Sequence, residues 1–558
     1  MRGRVVVILV AVVAIAAAAV LSTRGKSHSS TSAGTTSTAA PGDVAIQFIY
    51  SPEKEPLLKP LIANFNASKQ TVGGHPVFIE GEVGSSGDVE TKIAAGQSHP
   101  VLWSPSSSLW GRLLDFQTDS SLVAPTNPSI VRTPLVIAMW KELADAYGYP
   151  RRPLGFADLR RLATGGWAAI GKPTYGAFKF VHTNPDYSTA GLEDVAAQYY
   201  AAAGKLEGLT TVDVSNPRVR AEVEALERSV VHYGDTTLFI SNQLAQHGLG
   251  YASAVAMEEA TLLAYNQQAG GGQKLVAVYP KEGSFYSDDP LITLHGSWVS
   301  SAESQGASLF ASYLASHVTP QLAGKYGFRP ANQSTAPTGL VSAKYGANPA
   351  EPKVVLGLPE PKVLGKIRAL WHQDRRPANI MLVLDNSGSM GDNNKIDQAR
   401  AGLHQFLTQT SRNDRVGLIK FSSNITQLVP IAPMSTNRAI LNGAIDHIFP
   451  EDQTRLYDAV AAGVNAVAAL KDTSRINAVV LLTDGLDNQS SLSLGGLVGQ
   501  LRGQTQSEAG QIRVFDIAYG TDADQHGLQA IADATGGKEF SADPTNVQTV
   551  YQSISSFF

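Results

Sequence analysis

The sequence contains no cysteine. That absence excludes disulfides, thiolate zinc sites, iron–sulfur clusters, thiol nucleophiles and a lipid-modified cysteine. Charge is also sparse: charged residues make up 16% of the chain and the formal net charge is −4. No dominant basic surface is available, so nucleic acid is excluded as a partner. Histidines are few, scattered and without metal-ligand spacing, and no HExxH is present. The GWAAIGKP segment (166–173) has the spacing of a phosphate loop, but Pro173 stands where the magnesium-binding hydroxyl is required. No Ser/His/Asp triad or paired-carboxylate pattern points to catalysis. What the chain does have is ordinary globular apolar content, 43%, in 558 residues, enough for several domains.

One long apolar run occurs. MRGR precedes VVVILVAVVAIAAAAVL (5–21), which as a helix would span about 25 Å. Residues 1–21 are expected to be a signal or anchor helix, with the cleaved and uncleaved forms both open. The expected location is extracytoplasmic, held at the cell membrane by this helix, or secreted if the segment is cleaved. Residues 22–42, nearly all Ser, Thr, Ala, Gly or Pro, predict a flexible stalk.

From Asp43 the pattern alternates. VAIQFIY (44–50), PVFIEGEV (76–83) and PVLW (100–103) read as strands, each followed by a helix. FKFVHT (178–183), GYASAVAM (250–257) and KLVAVYP (274–280) repeat the theme, as in a parallel α/β sheet. Residues 333–376 form a proline-punctuated connector with one helix at 361–373. A last unit, 377–558, has continuous Val/Ile/Leu strands, as expected when both faces of a sheet are covered.

That last unit carries the most specific motif. ANIMLVLDNSGSM ends a buried strand in Asp385 and follows it with Ser387 and Ser389; DQTRLYDAV places Thr454 before a helix; NAVVLLTDG ends another strand in Asp484. Strand ends share one edge of a doubly wound sheet, so the five side chains can converge there. Two carboxylates and three hydroxyls suit a hard cation: magnesium first, with manganese or calcium as alternatives. Asp487 reads as a solvated loop residue. The D-x-S-x-S, Thr and T-D-G set resembles the von Willebrand factor A domain and its metal-ion-dependent adhesion site. The resemblance implies a Rossmann-like fold and an open metal position that takes an acidic side chain from a protein partner.

Residues 43–332 resemble a two-lobed extracytoplasmic solute-binding domain, with TPLVIAMW (133–140) as a hinge-crossing strand and lobe two at about 135–272. KLVAVYP and DDPLITLHG would cross back, and PQLAGKYGFRPA would close lobe one. YSPEKEPLL, FKFVHTNPDYSTAGL, VVHYGDTT and YGFRPA are similar to segments of bacterial substrate-binding and A-domain-containing proteins. Ser51, Ser85, Ser86, Gly87, Ser104, Thr183, Asn184 and Ser188 stand at helix starts or strand ends, where free N–H groups would favour an anion. GSSG resembles the anion-cradling loops of phosphate- or molybdate-type binding proteins. Trp103, Tyr233 and Tyr286 are candidate cleft walls. The expectation is a non-enzymatic, membrane-anchored binding or adhesion protein with a small-molecule solute in its first domain. Two alternatives stand beside it: the receptor of an ABC importer for a small anionic solute, and, weakly, a metal-dependent hydrolase.

Overall fold

The structure is a computed structural model and describes residues 39–270, 274–505 and 511–558. The expected anchor helix (1–21) and nearly all of the expected stalk (22–42) lie outside the described residues. Among the described residues, no helix is long and apolar enough to cross a membrane.

Lobe one is built on the Val44–Tyr50 strand. It pairs in parallel with His75–Val83 on one side and Leu102–Ser104 on the other. The Glu55–Ala67 helix buries Leu57, Leu58, Leu61, Ile62 and Phe65, one face of its turn repeat, against this sheet. The chain then leaves for lobe two and returns later. Ile292–Thr293 adds antiparallel to Leu102–Ser104. The Ser301–His317 helix follows, opened by a reciprocal cap between Ser300 and Glu303.

Lobe two centres on Val131–Trp140, buried over nearly its whole length. Antiparallel to it run Ala254–Glu258 and Leu275–Val278. Phe180–Thr183 lies parallel to Ala254–Glu258 and to Val230–Gly234. The expected return at KLVAVYP is therefore displaced. All four residues of Leu275–Val278 are buried inside the lobe-two sheet, and the crossing comes between Val278 and Ile292. An unbroken apolar strand is stable only where both its faces are covered, and lobe two provides that cover.

The C-terminal domain is a six-stranded sheet, parallel except for the Ile425–Pro433 edge strand. Ala378–Asp385 is central and wholly buried. This domain shares one apolar cluster with lobe two and with the connector helix Pro361–Asp374. Phe557 packs on Phe239 of lobe two at 5.3 Å and on Phe515 at 4.8 Å. Trp371 of the connector packs on Tyr233 at 5.1 Å. A fully buried Phe contributes roughly 1.5–3 kcal/mol. The Lys538–Asp235 pair, partly buried on the same seam, adds to this, with Lys538 lying over the Phe239, Phe540 and Phe557 rings. The joint is built chiefly from this apolar cluster.

Beneath this seam Glu227 accepts four hydrogen bonds, from His182 Nε2 at 3.1 Å, Gln198 Nε2 at 3.1 Å, Tyr233 Oη at 3.0 Å and Trp371 Nε1 at 3.1 Å. Burial alone would lower the His182 pKa, but the Glu227 carboxylate outweighs it and raises the value from 6.5 to about 9. The raised value means that the pair's stabilisation is complete below pH 6.5 and is lost as pH climbs through about 9. Thermal denaturation should therefore move to lower temperature across that window, and His182→Gln should flatten the slope. Parallel pH profiles for the two proteins would contradict the assignment.

Candidate metal centre and interlobe cleft

At the C-terminal edge of the six-stranded sheet, Asp385 and Asp484 end or follow neighbouring strands, because Leu384 is in register with Leu482. Asp385 Oδ1 accepts from the Ser387 amide at 2.7 Å, and Oδ2 from Thr483 Oγ1 at 2.5 Å. Ser387 Oγ lies 3.2 Å from Ser389 Oγ, which donates to Asp484 Oδ1 at 2.7 Å. Burial, and in smaller part the Asp484 charge, raises the Asp385 pKa to about 6. Two carboxylates thus share one buried sheet edge.

Thr454 reaches the same edge from another loop. Its hydroxyl is 3.5 Å from the position a Cβ would take on Gly485. Its amide donates to Asn488, and its carbonyl accepts from the Asn488 and Gln489 amides. Asp487 is not a solvated bystander. It accepts from the Leu456 amide at 2.9 Å and so caps the Leu456–Ala468 helix that follows Thr454.

Lys395 joins the site with no motif to mark it. It is the first residue of the Lys395–Gln409 helix, and its Nζ donates to Asp484 Oδ2 at 2.7 Å. A lysine at a helix N-terminus opposes the macrodipole, and that oddity was the available signal. The donor set fits a hard divalent cation: Ser387, Ser389 and Thr454 supply hydroxyls and Asp385 and Asp484 supply charge. A cation here would share Asp484 with Lys395.

The cleft between the lobes is closed. Ser51, Ser85, Ser86 and Ser188, four of the expected residues, line a residual cavity of about 20 Å3. Gly87 lies at the lobe seam instead. Its amide donates to the Tyr187 carbonyl at 2.9 Å, and a Cβ there would sit 2.1 Å from the Asp186 carbonyl oxygen. Ser104 and Thr183 are fully buried beside the cleft and do not line it. Asn184 turns away and donates to the Ser556 carbonyl of the C-terminal domain at 3.1 Å. Trp103 and Tyr233 are core residues. Tyr286 packs under Arg132 and accepts from Arg329. None of the three aromatics walls the cleft.

The lining also opposes the expected anion. Glu53 enters from lobe one and accepts from the Ser51 hydroxyl and from Ser106 Oγ at 2.9 Å. Glu258 enters from lobe two and accepts from Thr237 Oγ1 at 2.6 Å. Burial, then the Glu53 charge, raises the Glu258 pKa to about 7. A third acid, Asp235, is paired with Lys538. No Lys, Arg or His is among the lining residues. Lys54, next to Glu53, points inward to Asp289 and the Pro105 carbonyl, both at 2.9 Å. Glu53 had a local explanation as an acid in a first helical turn, which hid it. Glu258 ends a strand, the position where α/β sheets place ligand contacts.

A larger cavity, about 950 Å3, lies where the Asn184–Tyr187 loop, the connector helix and the C-terminal tail meet. Much of its charged lining is already paired. Arg368 and His372 hold Asp186, and Arg375 holds Asp414.

The family model for bacterial extracellular solute-binding proteins matches residues 46–329, half of the chain. The chain belongs to this family. The model for the von Willebrand factor type A domain matches residues 379–554. Both are binding domains, and A domains commonly hold a divalent cation. An uncharacterized protein of Mycobacterium tuberculosis is 23% identical over 529 residues, covering 90% of this chain and 75% of that protein. A UPF0353 protein of Mycolicibacterium paratuberculosis is 26% identical over 202 residues, 32% of this chain; the match spans 59% of that protein's length. Among solved structures, the sulfate-binding protein SubI from Mycobacterium tuberculosis aligns at TM-score 0.37 and 18% identity, over 52% of this chain and 88% of that one.

The contact at Gly87 generates a test of the closed cleft. Gly87→Ala should push the lobes apart, destabilise the closed form by about 1–3 kcal/mol and enlarge the radius of gyration in solution scattering. Unchanged scattering and melting would show that the seam is not closed in solution.

Proposed function

We propose that this chain is an extracytoplasmic, membrane-anchored binding protein. Its solute-binding domain holds a small ligand in the interlobe cleft, and its A domain binds an acidic group of a protein partner through a divalent cation, magnesium first. The observation that carries the second half is the Ser387–Ser389–Asp484 chain of oxygen atoms beside the buried Asp385. The apolar run at 5–21 supports the anchor. In this reading the metal serves recognition, in keeping with the match to the von Willebrand factor type A domain.

A second reading, the receptor of an importer, draws on the family match over 46–329. The two separate in a binding experiment. Cation-dependent capture of a protein partner that chelator releases supports the adhesion reading. Tight stabilisation by a small solute with no cation-dependent partner supports the importer reading.

Three substitutions test the metal centre. Ser389→Ala removes one hydroxyl and leaves the core untouched, so calorimetry should register magnesium binding weakened at least about tenfold, roughly 1.4 kcal/mol. Asp385→Ala should abolish cation-dependent stabilisation while the sheet still folds. Lys395→Met removes an ammonium that competes for Asp484 and should tighten magnesium binding. Equal affinities in all these proteins would sink the site.

A further inference from the structure

We propose that the interlobe cleft takes a hard divalent cation, gripped by Glu53 from lobe one and Glu258 from lobe two. The proposal rests on reading this cleft as the ligand site of the solute-binding domain and specifies what fills it.

Three observations point the same way. The first is charge. Glu53 and Glu258 line one cavity from opposite lobes, and their recorded donors are the hydroxyls of Ser51, Ser106, Thr237 and Thr261. Among the described residues, neither has an ion-pair partner. Lys54 is bound to Asp289 and Lys538 to Asp235, so the nearest cations of the chain are already engaged. An oxyanion would meet two carboxylates and no cationic side chain.

The second observation is an unused ligand atom. Ser188 is 8% exposed, lines the cavity and opens the Thr189–Ala203 helix, yet its side chain makes no capping bond. Among the described residues its hydroxyl has no hydrogen-bond partner. The residue is more than nine-tenths buried, and its free hydroxyl borders the space between the lobes.

The third is size. A cavity of about 20 Å3 has room for a small, water-sized occupant such as a single ion. Carboxylates and hydroxyls are hard oxygen donors, the set that calcium, magnesium and manganese prefer. The N-terminus of the Thr237–His247 helix lies beside Glu258, and its positive end is already met by that carboxylate. A divalent ion would turn a repulsion between lobes into a bridge, so binding and closure would be one event.

The test uses the full chain after chelator treatment, in a Ser387→Ala background that disables the A-domain site. Melting temperature and radius of gyration are recorded with calcium, magnesium or manganese chloride, and separately with sodium sulfate and phosphate at matched ionic strength. At least one divalent cation should raise the melting temperature by about 3 °C or more and compact the protein. Glu53→Gln and Glu258→Gln should each abolish both effects; should Glu258→Gln fail to fold, the less buried Glu53→Gln carries the comparison. A cation response that survives both substitutions overturns the proposal. Stabilisation by sulfate or phosphate alone also overturns it, while leaving the cleft as a solute site. Absence of any response to either ion class overturns the cation, and unchanged dimensions with every solute tried would remove the cleft reading too.

Discussion

The apolar seam between lobe two and the A domain governs the molecule. Trp371, Phe239, Phe515 and Phe557 belong to one continuous packing unit, so the A domain is fused to a single lobe of the solute-binding domain. The connector helix also touches lobe one, through Leu364 and the Arg112–Glu360 pair at 3.1 Å. The ion pair is partly exposed and worth little, and the contact rests mainly on Leu364 and on Arg368 over the Trp110 ring. Any separation of the lobes that keeps the shared apolar cluster intact would carry the A domain along with lobe two and open the connector's contact with lobe one.

Both candidate sites follow one electrostatic pattern. Acids are placed at strand ends or first helical turns, and lysines from other elements answer some of them. Lys395 answers Asp484, and Lys538 answers Asp235 from the far side of the seam. The remaining acids, Asp385 in one site and Glu53 with Glu258 in the other, are satisfied by hydroxyls and amides alone. Hydrogen bonds of this kind hold a carboxylate in place and leave its charge largely uncompensated. This is how a binding site differs from a structural ion pair such as Arg329 with Glu259.

The A-domain fold and the convergence of four of the five candidate metal-site residues were legible because each motif is short and sits at the end of a strand that the sequence marks clearly. Asp385, Ser387, Ser389 and Asp484 lie on adjacent strand ends, and register alone brings them together. Lys395 was not legible, because nothing local says that a helix start will fold across to a residue 89 positions away. Asn184 illustrates the opposite error. Its sequence context is that of a cap at the cleft, but its amide is taken by a carbonyl 372 positions further on. Trp103 and Tyr233 read as cleft walls because aromatic residues serve both purposes, and only packing decides between them. Long-range partners are the part of a site that neighbouring residues do not encode.

The return of the chain to lobe one governs the order in which the molecule can assemble. Phe310, on the Ser301–His317 helix, completes the lobe-one core against Phe48 and Phe65, at 5.6 and 5.1 Å. These partners are synthesised on either side of the whole of lobe two. Lobe two takes most of its strands from one continuous stretch, although its central strand also pairs with Arg329–Pro330, beyond the lobe-one helix. On a growing polypeptide, the first strands to emerge must hold an uncovered apolar face until the helix arrives. The earliest part of the solute-binding domain to be made is thus among the last to be finished, and its transient exposure is where a chaperone would find this chain.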